Sequence, residues 1–204
     1  MKRTGLGYAL NATSLGCTAG CRMNIEDYPI LGEMVTVTAP DGSTIYGVVT
    51  NIHILDDGLV RQLATTEPID SKVIEDNRKY RTVPLEFTLA FVGFKKEEKV
   101  IHLLPPTPPL SLESVFRCSD DELRTFMQAG KIGGYLRYLV GEKQILNFDL
   151  VAAHFRYTMA IFNEEEKQGW LEQSTRTLTH LYRNDYATLN QLLHSLAESA
   201  MFNS

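Results

Sequence analysis

With 204 residues, 44% of them apolar and 22% charged, the chain has the make-up of a folded globular protein: one large domain, or a small domain with an appendage. Its 20 basic and 25 acidic residues leave a net charge of −5, which excludes a generally basic nucleic-acid coat but leaves room for a local basic patch. No apolar run approaches the roughly 18–20 residues of a membrane helix, and Gly5, Gly7, Asn11 and Thr13 interrupt the stretch after Lys2 and Arg3, so a cytoplasmic protein with no membrane partner is expected.

Residues 5–15 (GLGYALNATSL) read as a first strand with a glycine-bent start. Gly5-Leu6-Gly7 lacks the third glycine, the preceding strand and the following helix of a dinucleotide fingerprint. Cys17 and Cys21 form a C-x3-C pair, and Cys118 stands alone. A structural zinc site needs about four ligands and no second pair follows, so these read as buried or half-buried thiols, with no metal and no cofactor.

The strongest pattern lies at residues 28–54. A turn at 28–33 leads into Met34-Val35-Thr36-Val37-Thr38, whose β-branched residues alternate as in a half-buried strand. Pro40-Asp41-Gly42 supplies a hairpin turn, and residues 44–52 return as a second strand. Gly47 inside that strand predicts a bend or bulge. Residues 56–58 (DDG) mark another turn, and residues 59–80 show no clean period and read as an irregular crossing loop. Residues 84–94 alternate well, with Leu85, Phe87, Leu89 and Phe91 on one face. Residues 95–99 (KKEEK) form a charged hairpin tip, and residues 100–104 a short apolar strand. Pro105-Pro106-Thr107-Pro108-Pro109 reads as a stiff extended linker that ends a barrel.

Downstream the period lengthens to about 3.6. Ser119 and Glu122 form a capping box ahead of Leu123, Phe126 and Met127, and Gly130 is a suitable stop. Residues 132–140 (IGGYLRYLV) read as a further strand, and residues 148–162 as a helix or a helix leading into a strand. Asn163 and Glu166 open a helix reaching Arg183, and residues 186–201 form a last amphipathic helix. The short connection predicts that these two pack as an antiparallel hairpin. The expected fold class is α+β: a small, closed or partly open antiparallel β-barrel over 1–110, then a mixed and mainly helical part over 111–204.

The succession LGEMVTV, GSTIYGVVTNI, AFVGF, LLPPTPPL, FRCSDDEL and GGYLRYLVGE resembles the HAS-barrel over roughly residues 5–150. That family supplies the N-terminal β-barrel of HerA-type DNA translocases and is related in fold to the N-terminal barrel of ATP synthase catalytic subunits. The resemblance implies a barrel used for subunit assembly and for docking partner proteins. In HerA-like proteins a motor domain follows; here the corresponding stretch is AAHFRYTMAIFNEEEKQGWLE. The chain contains no G-x-x-x-x-G-K-[ST], and Glu164, Glu165 and Glu166 would repel phosphate, so ATP hydrolysis does not carry over. The expectation is a non-enzymatic module that forms a homo-oligomer or docks a separately encoded ATPase or nuclease, with nucleic acid contacted indirectly.

Two alternatives rest on other residues. A metal-dependent nuclease could pair Glu97-Glu98-Lys99 or Glu165-Glu166-Lys167 with Asp149 or Asp120, since carboxylates hold Mg²⁺ and lysine stabilises developing charge. The plainer reading of both patterns is solvated charge. An OB-type nucleic-acid-binding barrel could use Tyr135-Leu136-Arg137-Tyr138, His154-Phe155-Arg156-Tyr157, or the basic cluster Arg78, Lys79 and Arg81. The plainer reading there is aromatics that pack and arginines that face water. His53, His102, His154, His180 and His194 are scattered, and Ser111, Ser114 and Ser119 lack a glycine elbow. No residue is assigned to catalysis, metal, cofactor or partner binding.

Overall fold

The computed structural model describes residues 4–22, 28–54, 58, 61–62, 65, 70–72, 75, 84–140 and 148–201. The predicted turn at 56–58, most of the crossing loop, and Arg78, Lys79 and Arg81 lie outside the described residues, apart from isolated positions such as Gly58.

Where one strand was expected over 5–15, two form a hairpin: β1 (Gly5–Ala12) and β2 (Gly16–Arg22). The second lacks a legible pattern because its inward residues, Cys17, Ala19 and Cys21, are small. The predicted hairpin at 34–54 is β3 (Met34–Thr38) and β4 (Thr44–Ile54). Gly42 turns the corner at φ 78°. Asp41 Oδ1 accepts from Ser43 N–H at 3.1 Å and Ser43 O–H at 2.6 Å, and Lys96 Nζ lies 3.1 Å from Oδ2. These contacts, the Ser43 bonds first, lower the Asp41 carboxyl to about 2. The next hairpin is β5 (Pro84–Lys96) and β6 (Lys99–Ile101), with the charged tip between them. The predicted irregularity at Gly47 is a register shift between Tyr46 and Gly47 in the β4–β5 ladder.

The proline segment does not end the barrel. The chain returns beyond it as β7 (Ser114–Arg117), which inserts antiparallel between β1 and β3. β2 also pairs with β5 along its whole length. The cycle β1-β2-β5-β4-β3-β7 thereby closes as a six-stranded antiparallel barrel, and β6 extends it beside β5. A strand of four residues carries too short a period to be read in sequence.

Helix α1 (Asp120–Gln128) starts at Ser119 with the predicted capping box. The strand expected at 132–140 is instead a 3-10 turn (Gly134–Leu136) running into the short helix α2 (Arg137–Val140). Gly133, at φ 71°, makes the left-handed corner that starts it. Helix α3 (Phe148–Met159) has no following strand. Helix α4 (Glu164–Leu181) carries the Asn163–Glu166 capping box, and α5 (Tyr186–Met201) follows. The predicted hairpin of the last two helices does not form. α5 lies along α3, where Ala152 and Ala153 permit close approach and Ser199 O–H donates to Ala152 O at 3.1 Å.

Two cores result. Leu6, Val35, Val37, Ile45, Leu89, Phe91 and Val115 fill the barrel. Met34, Tyr46, Val48 and Val92 point outward from the same strands, into a second core with Phe126, Tyr135, Phe155 and Trp170. The β3–β4–β5 wall is therefore buried on both faces. Thr36, read as part of a half-buried strand, is 1% exposed, and its hydroxyl has no hydrogen-bond partner.

Candidate interaction surface

Among the described residues the helical core packs on the β3–β4–β5 side of the barrel, and large apolar side chains of β1 and of the segment before β7 stay exposed. On the β1–β2–β7 side the outward residues follow from the pleat: Gly7 and Ala9 of β1 face in, Tyr8 and Leu10 face out. Tyr8 lies opposite Gly20 on β2 and Ser114 on β7, and neither is large enough to shield it. It remains 56% exposed. Leu10 leans over Gly20, where a Cβ would meet its side chain at 3.2 Å, and is 41% exposed.

The segment before β7 adds to this face. Ser111 O–H donates to Leu10 O at 3.2 Å, Leu112 N–H donates to Ala9 O at 2.7 Å, and Ala9 N–H donates to Glu113 O at 2.8 Å. Leu112 is thereby held at φ 66°, which costs an L-residue about 1–2 kcal/mol, while its side chain stands 73% exposed. Leu110 is also exposed. Tyr8, Leu10, Leu110 and Leu112 thus stand above a carpet of small residues, and the outward positions Thr18, Gly20 and Ser114 carry no charge. Of these, Tyr8 is the residue type enriched at the centre of protein interfaces, and the three leucines add exposed apolar area around it. Closure of the barrel removes free strand edges from this wall, so it offers side chains and no edge to which a strand could add.

The residues singled out in the sequence sit elsewhere. Glu97 is at the β5–β6 tip in a left-handed conformation, and Lys95 lies 3.1 Å from Glu98. Glu164, Glu165 and Glu166 open α4, where Lys167 pairs with Glu164 at 2.6 Å. Arg124 Nη1 donates to both Glu166 oxygens at 2.7 Å and lowers that carboxyl. Asp120 and Asp149 lie in the first turns of α1 and α3. Among the described residues no three His, Cys, Asp or Glu side chains come together as a metal-holding group. The cysteines are thiols. Cys17 and Cys21 are four residues apart on one strand, hence about 13 Å apart at 3.3 Å per residue, too far to share an ion. Burial pushes the Cys17 thiol up to about 12 and raises Cys21 as well.

Both aromatic–basic clusters are built into the helical core. In α3, His154 and Phe155 are buried while Arg156 is exposed. Arg137 stacks on Tyr138 at 4.5 Å and donates to Gly134 O at 2.7 Å and to His102 O. Of the other histidines, His53 lies 3.4 Å from Glu86 and His194 lies 3.4 Å from Glu198.

One buried polar chain was not foreseen. His154 Nδ1–H donates to Gly32 O at 2.7 Å, so its Nε2 accepts from Tyr135 O–H at 2.8 Å. Burial lowers this imidazole from 6.5 to about 4, against the bond to Gly32 O, which raises it. The unfolded chain therefore takes up the proton first as pH falls. Stability should be complete above about pH 6.5 and fall by about 3 kcal/mol between 6.5 and 4. Urea titrations across that window, compared with His154→Gln, measure it; equal pH slopes in the two proteins would refute a buried neutral histidine.

No protein-family model matches the chain, and no curated protein matches its sequence. Among the described residues no helix is long and apolar enough to cross a membrane.

Proposed function

We propose that the chain is a non-enzymatic assembly and docking module, whose barrel joins its own copies or a separately encoded HerA-like ATPase or nuclease. The observation that carries this reading is the group Tyr8, Leu10, Leu110 and Leu112, exposed together beside the uncharged positions Thr18, Gly20 and Ser114 of the β1–β2–β7 wall. A folded monomer has little reason to hold Leu112 in a disfavoured conformation with its side chain in water. The helical part supports the reading in a second way: among the described residues it braces the β3–β4–β5 wall, and these four side chains stay exposed. The resemblance to the HAS-barrel, whose role is assembly, points the same way.

Light scattering on a size-exclusion column at tens of micromolar tests the proposal. The expected result is a mass above that of one chain, or a complex when a HerA-like motor or nuclease is added. Tyr8→Glu with Leu112→Glu should weaken that association by about a hundredfold or more, with the thermal midpoint nearly unchanged, because both side chains are exposed. A strict monomer that binds neither class of partner would sink the proposal.

A further inference from the structure

A groove of about 530 Å³ runs along the seam between the helical cover and the β1–β2 side of the barrel. Its barrel side carries Thr88 and the β1–β2 turn with Leu15; its helical side carries Arg137, Tyr138 and Leu139, with Leu104 nearby. The volume lies within the roughly 300–1,000 Å³ of small-molecule sites. The lining is mostly apolar, and Arg137 is the only charged residue among the described residues that line it.

Arg137 is held before any ligand arrives. Its guanidinium stacks on Tyr138, donates through Nη1 to Gly134 O, and through Nη2 to His102 O and, at 3.0 Å, to Tyr138 Oη. These bonds occupy three of the five guanidinium N–H groups, and two remain for a ligand. The cation makes no ion pair among the described residues, although the chain carries a net charge of −5. An unpaired, immobilised guanidinium beside an apolar trough selects a single negative charge attached to an apolar body. Phosphate would call for more cations than the single one among the described lining residues.

We infer that the seam groove binds a small carboxylate bearing an apolar chain, with the carboxylate on Arg137 and the chain against Leu15, Leu104 and Leu139. This ligand site borders the docking wall and shares Thr18 of β2 with it, but the inference does not rest on the docking role.

Calorimetric titration with octanoate, and with 1-octanol as its uncharged counterpart, tests the inference on the full chain. Octanoate should bind saturably at one site per chain, at least about tenfold more tightly than octanol. Arg137→Gln should remove that preference. Because Arg137 also ties down two backbone carbonyls, Leu15→Glu is the second variant. Leu15 is exposed in a turn, so the fold should tolerate the change, and the new carboxylate at the rim should weaken octanoate by about tenfold more than it weakens octanol, which loses only its apolar contact with Leu15. Equal affinity for acid and alcohol, no saturation in the millimolar range, or octanoate weakened no more than octanol by Leu15→Glu would each overturn it.

Discussion

Gly32→Ala should cost about 4 kcal/mol, a large share of the stability of a domain this size. Gly32 sits at φ 82°, and holding alanine there costs about 1 kcal/mol. The larger part is contact. A Cβ at this position would lie 2.5 Å from His154 N, 2.7 Å from Ala153 C and 2.9 Å from His154 Cα. Those atoms are the backbone of α3 and cannot rotate away, so the helix or the turn must move, at about 3 kcal/mol. Movement would also stretch the bond from His154 Nδ1–H to Gly32 O and the one from Gly32 N–H to Val49 O at 2.9 Å. Gly42→Ala is the control. That residue has nearly the same φ, 78°, but nothing within 4 Å of its Cβ, so only the conformational cost applies. Denaturant unfolding of both variants checks the argument; equal losses would show that contact with α3 is not what demands glycine at position 32.

Gly32 also marks the limit of what the sequence discloses. The hairpin that follows it was legible because Val35, Val37, Ile45 and Val49 alternate and Pro40-Asp41-Gly42 has one obvious use. The capping boxes at Ser119 and Asn163 were legible for the same reason: each is a local device whose parts lie within four residues. What stayed hidden was non-local. Nothing near Met34 or Thr36 announces that a helix 90 residues later will bury the second face of β3. Nothing in Ser114–Arg117 says that four residues beyond a proline segment will close the barrel. Gly133-Gly134 suited a strand in isolation; only the left-handed corner at Gly133 decides for a 3-10 turn.

The candidate surface was harder to read for a related reason. Tyr8 and Leu10 look like ordinary strand residues, and their exposure follows from Gly20 and Ser114 across the ladder and from the helices lying on the other wall. The aromatic–basic clusters were easier. Packing was the plainer reading for Tyr135 and His154, and both are fully buried and bonded to each other. Exposure of this kind shows only after every local partner has been assigned, as for Tyr8 and Leu10 on the β1–β2–β7 wall.

Arg117→Met should destabilise the fold by about 3–5 kcal/mol, through the residue it leaves behind. Glu33 is 0% exposed. Its Oε1 accepts from Arg117 Nε, and its Oε2 accepts from Ile30 N–H at 2.9 Å. The pair ties the turn before β3 to β7, the strand that closes the barrel. Without Arg117 a carboxylate remains buried with one backbone donor, and the lost methylene packing is small because Met replaces most of the stem. Adding Glu33→Gln removes the stranded charge, and the amide oxygen can still accept from Ile30 N–H. The double variant should therefore be more stable than Arg117→Met alone by about 2 kcal/mol, even though it carries one more substitution. Unfolding free energies of the four proteins give the coupling directly. If Glu33→Gln further destabilises the Arg117→Met protein, the cost at position 117 lies in its packing or its other contacts, not in an uncompensated charge at Glu33.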